Sequence, residues 1–140
     1  MRVVFRRRGH EGRVRLGDRF DTFVMEGRGV RCVSDRPWVT VAETCECALA
    51  YLAVGERDIA EAMFSWAQQF RHDDDRYWTG TVFPDEARFP AGERSTYTAA
   101  SVILTADAIA GGSAASALFV DHDALLPPLI DVSDAVRDRD

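Results

Sequence analysis

The chain has 140 residues, the size of one domain, and its 46% hydrophobic content with three Trp excludes a disordered polypeptide. Seventeen basic residues stand against 23 acidic ones for a net charge of −6, and every basic residue is arginine. Without lysine there is no Schiff-base chemistry and no P-loop lysine. The three cysteines (Cys32, Cys45, Cys47) are an odd number, and Met1 to Phe5 is too short for the apolar core of a secretory signal. The expectation is a cytoplasmic chain, poor in disulfides and without a membrane span.

The charge is unevenly placed. Residues 1–31 hold nine Arg and four acids, net +5; residues 32–140 hold eight Arg and 19 acids, net −11. The run Arg6-Arg7-Arg8 has no aromatic interleaving, and the acidic remainder repels phosphate, so no nucleic-acid partner is expected.

In chain order, residues 1–12 carry no periodicity and read as a frayed basic start. From Gly12 to Met25, Val14, Leu16, Phe20, Phe23 and Val24 fit a short amphipathic helix, broken by Gly27 and Gly29. Pro37 suits the first turn of a second helix, whose stripe is Ala42, Cys45, Leu49 and Leu52. Cys45 and Cys47 diverge by about 200° on such a helix. Gly55 ends it. A third helix follows, with Asp58 and Glu61 as a capping arrangement and Ile59, Met63, Trp66, Ala67 and Phe70 as its apolar face. Two helices joined across so short a turn form an antiparallel hairpin.

Residues 72–93 differ in character. His72-Asp73-Asp74-Asp75 is polar, Tyr77 to Phe83 has strand composition, Pro84-Asp85 marks a turn, and Arg88-Phe89-Pro90 reads as a return strand. The expectation is one long ordered loop or a small β-hairpin. Thr96 to Ala110 is apolar nearly all round and predicts a helix buried on most sides, stopped by Gly111-Gly112. Residues 113–140 read as a loosely attached or disordered acidic tail. The segments Thr40–Gly55 and Thr96–Gly111 echo each other at an offset of 56 residues, the spacing of a helical-hairpin repeat.

Several stretches carry a family resemblance: Val30-Arg31-Cys32-Val33-Ser34-Asp35-Arg36-Pro37-Trp38-Val39-Thr40, Ala42-Glu43-Thr44-Cys45-Glu46, Tyr77-Trp78-Thr79-Gly80 with Phe83-Pro84-Asp85, and Tyr97-Thr98-Ala99-Ala100 to Ala106-Asp107-Ala108. Residues 30–112 resemble the C-terminal part of actinobacterial proteins labelled prenyltransferase, or prenyltransferase and squalene oxidase repeat. These share the α/α toroid of terpenoid cyclases and six-hairpin glycosidases. Gln69 to Trp78 also resembles the Gln…Asp-Gly-x-Trp segment of cyclase repeats, with Asp75 in place of the glycine. The resemblance implies an all-α chain: a partial α/α toroid of about two antiparallel hairpins over residues 13–112. It also implies a fragment or a reduced relative of a longer protein.

In a toroid the ligand lies at the inner-helix starts and their loops. The resemblance therefore points to Glu43 and Asp85 as acid and base, and to Arg36, Trp38, Tyr77, Trp78, Arg88 and Tyr97 as binding residues. Aromatic faces stack on sugars and paired carboxylates serve glycoside hydrolysis. The same residues allow plainer roles: a capping box of Thr40 with Glu43, packing for Trp38 and Trp78, an Arg36–Asp35 pair, and a solvated turn for Asp73-Asp74-Asp75. Cys32, Cys45, Cys47 and His72 lack metal-site spacing, so no metal or cofactor is expected. The implied ligand is a glycan or a lipid-linked small molecule, with carbohydrate favoured over isoprenoid because diphosphate-binding motifs are missing. The chain is expected not to catalyse alone. The competing readings are a prenyl-transferase-like fragment and a helical interaction module, completed by a second copy or a separately encoded N-terminal half.

Overall fold

A computed structural model describes the backbone of residues 2–121 and the side chains of residues 9–121. Its elements in order are α1 (Arg2–Phe23), β1 (Val24–Met25), β2 (Gly29–Arg31), β3 (Trp38–Thr40), α2 (Val41–Ala53) and α3 (Arg57–Ala67). A 3-10 turn over Gln68–Phe70 follows, then β4 (Gly80–Val82), β5 (Ala87–Phe89), α4 (Thr96–Ala110) and α5 (Ala114–Val120). Of the tail expected over 113–140, Ala114–Val120 form α5, and residues 122–140 lie outside the described residues.

The five strands form one antiparallel sheet in the order β1-β2-β3-β4-β5. This overturns the expectation of an all-α chain and of a partial toroid: the fold is mixed α/β. Strands of two or three residues are too short to display alternation, and β3 pairs with β4 across some forty intervening residues that include α2 and α3. Two local readings change with it. Pro37 precedes a strand and not a helix, and Gly27 belongs to the turn between β1 and β2. The Arg88-Phe89 return strand is present, as the edge of the larger sheet.

The helices follow the periodicity more closely. α2 and α3 form the expected hairpin, turning at Val54, Gly55 and Glu56. Arg57 at the start of α3 donates from Nη2 to Ile109 O at 2.7 Å, while Tyr97 at the start of α4 reaches Glu46 on α2. The C-terminus of α4 therefore lies by that of α2, and the two helices run in the same direction. α2 starts directly from the sheet, Thr40 being both the last residue of β3 and the N-cap of α2.

The core has two parts. Val39, Val41, Cys45, Ala67, Phe70 and Val102 fill the space between sheet and helices. Val30, Ala48, Tyr51, Ala60 and Met63 form the second, against which Leu16, Phe20 and Phe23 of α1 pack. Cys45 belongs to the first and Cys47 packs on the second, as the divergence along the helix requires. Full burial of such side chains stabilises by about 1.5–3 kcal/mol each.

α4 has the predicted bounds, and Gly111 closes it in the left-handed conformation at φ 63°. It is not buried on most sides, however. Its inward face is Thr98, Ser101, Val102, Thr105 and Ala108, while Ile103 is 67% exposed. The inward hydroxyls are satisfied by main chain, Ser101 donating to Tyr97 O at 3.0 Å and Thr105 to Cys45 O at 3.3 Å. Small hydroxyl residues therefore let α4 lie close on α2 without an unpaired polar group. No single helix among the described residues is long and apolar enough to cross a membrane, and α4 and α5 are bent by 95°.

Candidate functional site

Strand register decides which side chains share a face. Thr40 pairs with Gly80 and Gly80 with Phe89; one step along, Trp38 pairs with Val82 and Val82 with Ala87. Residues two apart on a strand point the same way, so Trp38, Thr40 and Phe89 lie on one face. Gly80 lies in the middle of that face, where the neighbouring strands close in on it. A Cβ there would stand 2.6 Å from Val39 O, 3.0 Å from Thr40 Cγ2 and 3.2 Å from Phe89 O. Trp38 stacks on Phe89, with ring centroids 4.8 Å apart and planes at 29°.

Glu43 belongs to the same face. The Thr40 hydroxyl donates to Glu43 Oε2, and Thr40 makes no side-chain bond to a helix amide. Half of the expected capping box thus becomes a side-chain pair at the sheet edge. One turn on, Glu46 accepts the Tyr97 hydroxyl from α4. The Glu46 hydrogen bond, then the charges of Glu46 and Glu43, push the Tyr97 phenol up. Burial, and then Glu43, push the Cys32 thiol up. Glu43 is therefore an electrostatic neighbour of both Tyr97 and Cys32, and the Cys32 amide donates to Trp38 O at 2.9 Å. Tyr97 is 60% exposed, so its ring is offered to solvent while its hydroxyl is held. Together these groups combine flat aromatic surface with anchored acceptors, which suits a neutral, hydroxyl-rich ligand.

Arg88 lies on the opposite face of the sheet, opposite Thr81, to whose hydroxyl it donates at 3.1 Å. There it covers the Trp78 ring at 5.2 Å, as Arg94 does at 4.7 Å, and His72 meets the ring edge-on at 5.4 Å. Asp74 ties this cluster together, pairing with Arg76 at 2.7 Å, Arg94 at 2.8 Å and His72 at 3.1 Å. Desolvation opposes its charge, yet the Arg76 amide and guanidinium and His72 outweigh it, holding Asp74 down to about 2. Asp75 adopts φ 65° where the cyclase segment has glycine, and pairs with Arg71 at 2.7 Å. Gln69 donates to Gly27 O at 2.7 Å and ties the helix end to the β1–β2 turn.

The remaining predicted residues are dispersed. Tyr77 is half-buried against the core and donates to Gln68 Oε1 at 2.5 Å. Arg36 is exposed beside Asp35, 3.9 Å away. Asp85 is exposed in the turn between β4 and β5. At about 3.3 Å per residue, its backbone lies roughly 13 Å along the hairpin from the level of Gly80 and Thr40. The structure thus brings together Trp38, Glu43 and Tyr97, places Trp78 and Arg88 behind the sheet, and leaves Asp85, Arg36 and Tyr77 apart. Glu46 and Phe89 were missed. Glu46 was legible as the i+3 neighbour of Glu43, whereas Phe89 needed the register. Burial lifts the Cys45 thiol to about 12 and the Cys47 thiol to about 11. Among the described residues, no group of three or more His, Cys, Asp or Glu is placed to hold a metal ion.

No protein-family model matches the chain. It is 45% identical over 112 residues to a curated protein of Mycolicibacterium hassiacum, the glycoside hydrolase named MMP endo-(1,4)-3-O-methyl-alpha-D-mannosidase. The aligned stretch covers 80% of this chain and 31% of that protein, so the chain spans about a third of the length of its curated relative. The sequence resemblance joined prenyltransferase-repeat and glycosidase-like proteins; the relative falls on the glycosidase side, and no match shows the prenyltransferase-repeat family.

Proposed function

We propose that this chain forms part of a carbohydrate-binding site in a glycoside-hydrolase-like protein and does not hydrolyse a glycosidic bond on its own. The observation that carries the reading is the 45% identity to the mannosidase over 112 residues. The ligand class taken from it is an α-1,4-linked mannose oligomer with 3-O-methyl groups. The face bearing Trp38, Phe89, Glu43 and Tyr97 suits that chemistry. Aromatic rings stack on the C–H faces of pyranose rings, and O-methylation adds apolar surface for them to cover. Glu43, held by Thr40, is the candidate proton-transfer carboxylate, in reach of a sugar hydroxyl or a glycosidic oxygen. Trp38 and Tyr97 are the binding residues of this face. Arg36 and Asp85, both exposed, stay in the reading as outer contacts of a longer oligomer, whereas Tyr77, held by Gln68, and Trp78 and Arg88, behind the sheet, do not. The coverage of only 31% of the relative supports the view that the partner carboxylate comes from elsewhere.

Calorimetric titration of the full chain with 3-O-methylated α-1,4-manno-oligosaccharides tests this. Binding in about the millimolar range is expected, weakened about tenfold by Trp38→Ala, with no product released by the chain alone. Absence of binding at saturating oligosaccharide overturns the carbohydrate assignment. Turnover by the isolated chain overturns the claim that it is not catalytic alone.

A further inference from the structure

Tyr97 stands in the first turn of α4 with its backbone fixed on both sides. Ser95 caps the helix, its hydroxyl accepting from Thr98 N at 3.1 Å, and Thr98 is fully buried. One turn on, the Ser101 hydroxyl donates to Tyr97 O at 3.0 Å. The ring itself is exposed, and its hydroxyl donates across to Glu46 Oε1 on α2. A large aromatic side chain left in solvent ordinarily exchanges between rotamers. Here the backbone is set at one end and the phenol is tethered at the other, so the ring is held in one orientation. Glu46 lies three residues after Glu43, and the two carboxylates follow each other along one side of α2, with Cβ atoms about 5–6 Å apart. Glu43 acts on the Tyr97 phenol as well, which sets the ring near the carboxylate that Thr40 holds. We infer that Glu46 is a positioning residue of the proposed sugar site, holding the Tyr97 ring as a ready stacking surface near Glu43, a role that rests on the carbohydrate reading above.

A clamp between α2 and α4 for its own sake would be redundant. Thr105 already donates to Cys45 O inside that contact, and Val102 shares a buried cluster with Cys45. A hydrogen bond between two exposed side chains adds little to such packing. What it changes is the freedom of the ring. Ordering one such side chain when a ligand arrives weakens binding about two- to tenfold. Glu46 does that ordering before the ligand arrives.

Calorimetric titration of the full chain with the 3-O-methylated α-1,4-manno-oligosaccharides tests it. Glu46→Ala is expected to weaken binding about fivefold. Glu46→Gln keeps a side-chain oxygen for the phenol and is expected to recover most of that loss. Tyr97→Phe keeps the ring but not the tether, for a similar weakening of about fivefold. The double variant with Glu46→Ala and Tyr97→Phe is expected to bind no more weakly than either single one, because both remove the same hydrogen bond. Circular dichroism checks the fold, both positions being exposed. A second readout needs no sugar. The Tyr97 phenol is pushed up first by the Glu46 hydrogen bond and then by the Glu46 charge, with Glu43 adding to it. Its alkaline titration, followed by the ultraviolet absorbance of ionised tyrosine, is therefore expected to move down in Glu46→Ala against the wild type; Tyr51 and Tyr77 are common to both. If the wild type binds and Glu46→Ala binds equally well, the positioning role is refuted while the carbohydrate reading stands. The same holds if the double variant loses the product of the two single effects, since Glu46 then acts other than through Tyr97. A phenol titration that does not move in Glu46→Ala refutes the tether. A wild-type chain that binds none of these sugars overturns the carbohydrate reading and, with it, the role of Glu46.

Discussion

Gly80 is where the sheet, the aromatic pair and the Glu43 support meet, so adding one methyl group there tests the whole arrangement. In Gly80→Ala the new Cβ stands 2.6 Å from Val39 O, 3.0 Å from Thr40 Cγ2 and 3.2 Å from Phe89 O. Two of these atoms are main-chain oxygens of the neighbouring strands and cannot rotate away. Val39 and Thr40 are themselves buried, so β3 cannot move outward without opening the core. Forcing a methyl group into such a site costs typically 1–3 kcal/mol. Alanine recovers up to about 1 kcal/mol through lower unfolded-state entropy. The net expectation is a loss of about 2 kcal/mol, or a drop in Tm of about 8 °C for a chain of this size. Guanidinium unfolding followed by tryptophan fluorescence measures it, and near-ultraviolet circular dichroism reports on the Trp38–Phe89 stack. Gly17→Ala is the control. Gly17 lies within α1 with nothing inside 4 Å of an added Cβ, so that variant is expected to gain about 0.5–1 kcal/mol. A Gly80→Ala chain within 0.5 kcal/mol of the wild type, with an unchanged aromatic spectrum, would refute the close approach of the three strands.

Two further outcomes follow from buried and surface polar groups. Thr44 is fully buried; its hydroxyl accepts from Val30 N at 2.9 Å and donates to Thr40 O at 2.6 Å. Thr44→Val keeps the shape and strands the Val30 amide, for an expected loss of about 2 kcal/mol in denaturant titration; a loss below about 0.5 kcal/mol would show that the strand amide has another partner. For Asp74, the folded pKa is depressed to about 2 from the ordinary 3.8. Its stabilising effect is therefore present above pH 4 and lost as the pH falls toward 2. Asp74→Asn is expected to be less stable than the wild type at pH 7 and equal to it near pH 2. A difference that persists unchanged at pH 2 would mean that the carboxylate charge is not what holds Arg76, Arg94 and His72.

The helices and their ends were legible from local pattern. The stripe of Ala42, Cys45 and Leu49, the apolar face of Ile59, Met63 and Ala67, and the stop at Gly111 are set by residues within a turn or two of one another, and hydrophobic periodicity reads such spacing directly. The return strand at Arg88-Phe89 was legible for the same reason, through the Pro84-Asp85 turn. The strands β1 to β3 were not. Each has two or three residues, too few for alternation to show, and only the long-range pairing of β3 with β4 joins their local pairs to the Arg88-Phe89 hairpin. The site divides along the same line. Glu43 beside Thr40, and Glu46 one turn on, follow from helix spacing. Which face of the sheet a strand side chain occupies follows from register, where a single residue of offset reverses the answer. Residue type therefore named Trp38, Trp78 and Arg88 alike as candidates, but only the pairing of β3, β4 and β5 sends Trp38 to the side of Glu43 and Arg88 to the other. The outward face of α4 was decided in the same way. Its composition predicted burial on most sides, and only the packing on α2 made Thr98, Ser101 and Thr105 the inner side, where Ser101 is satisfied within its own helix and Thr105 by Cys45 O of α2, leaving Ile103 in solvent.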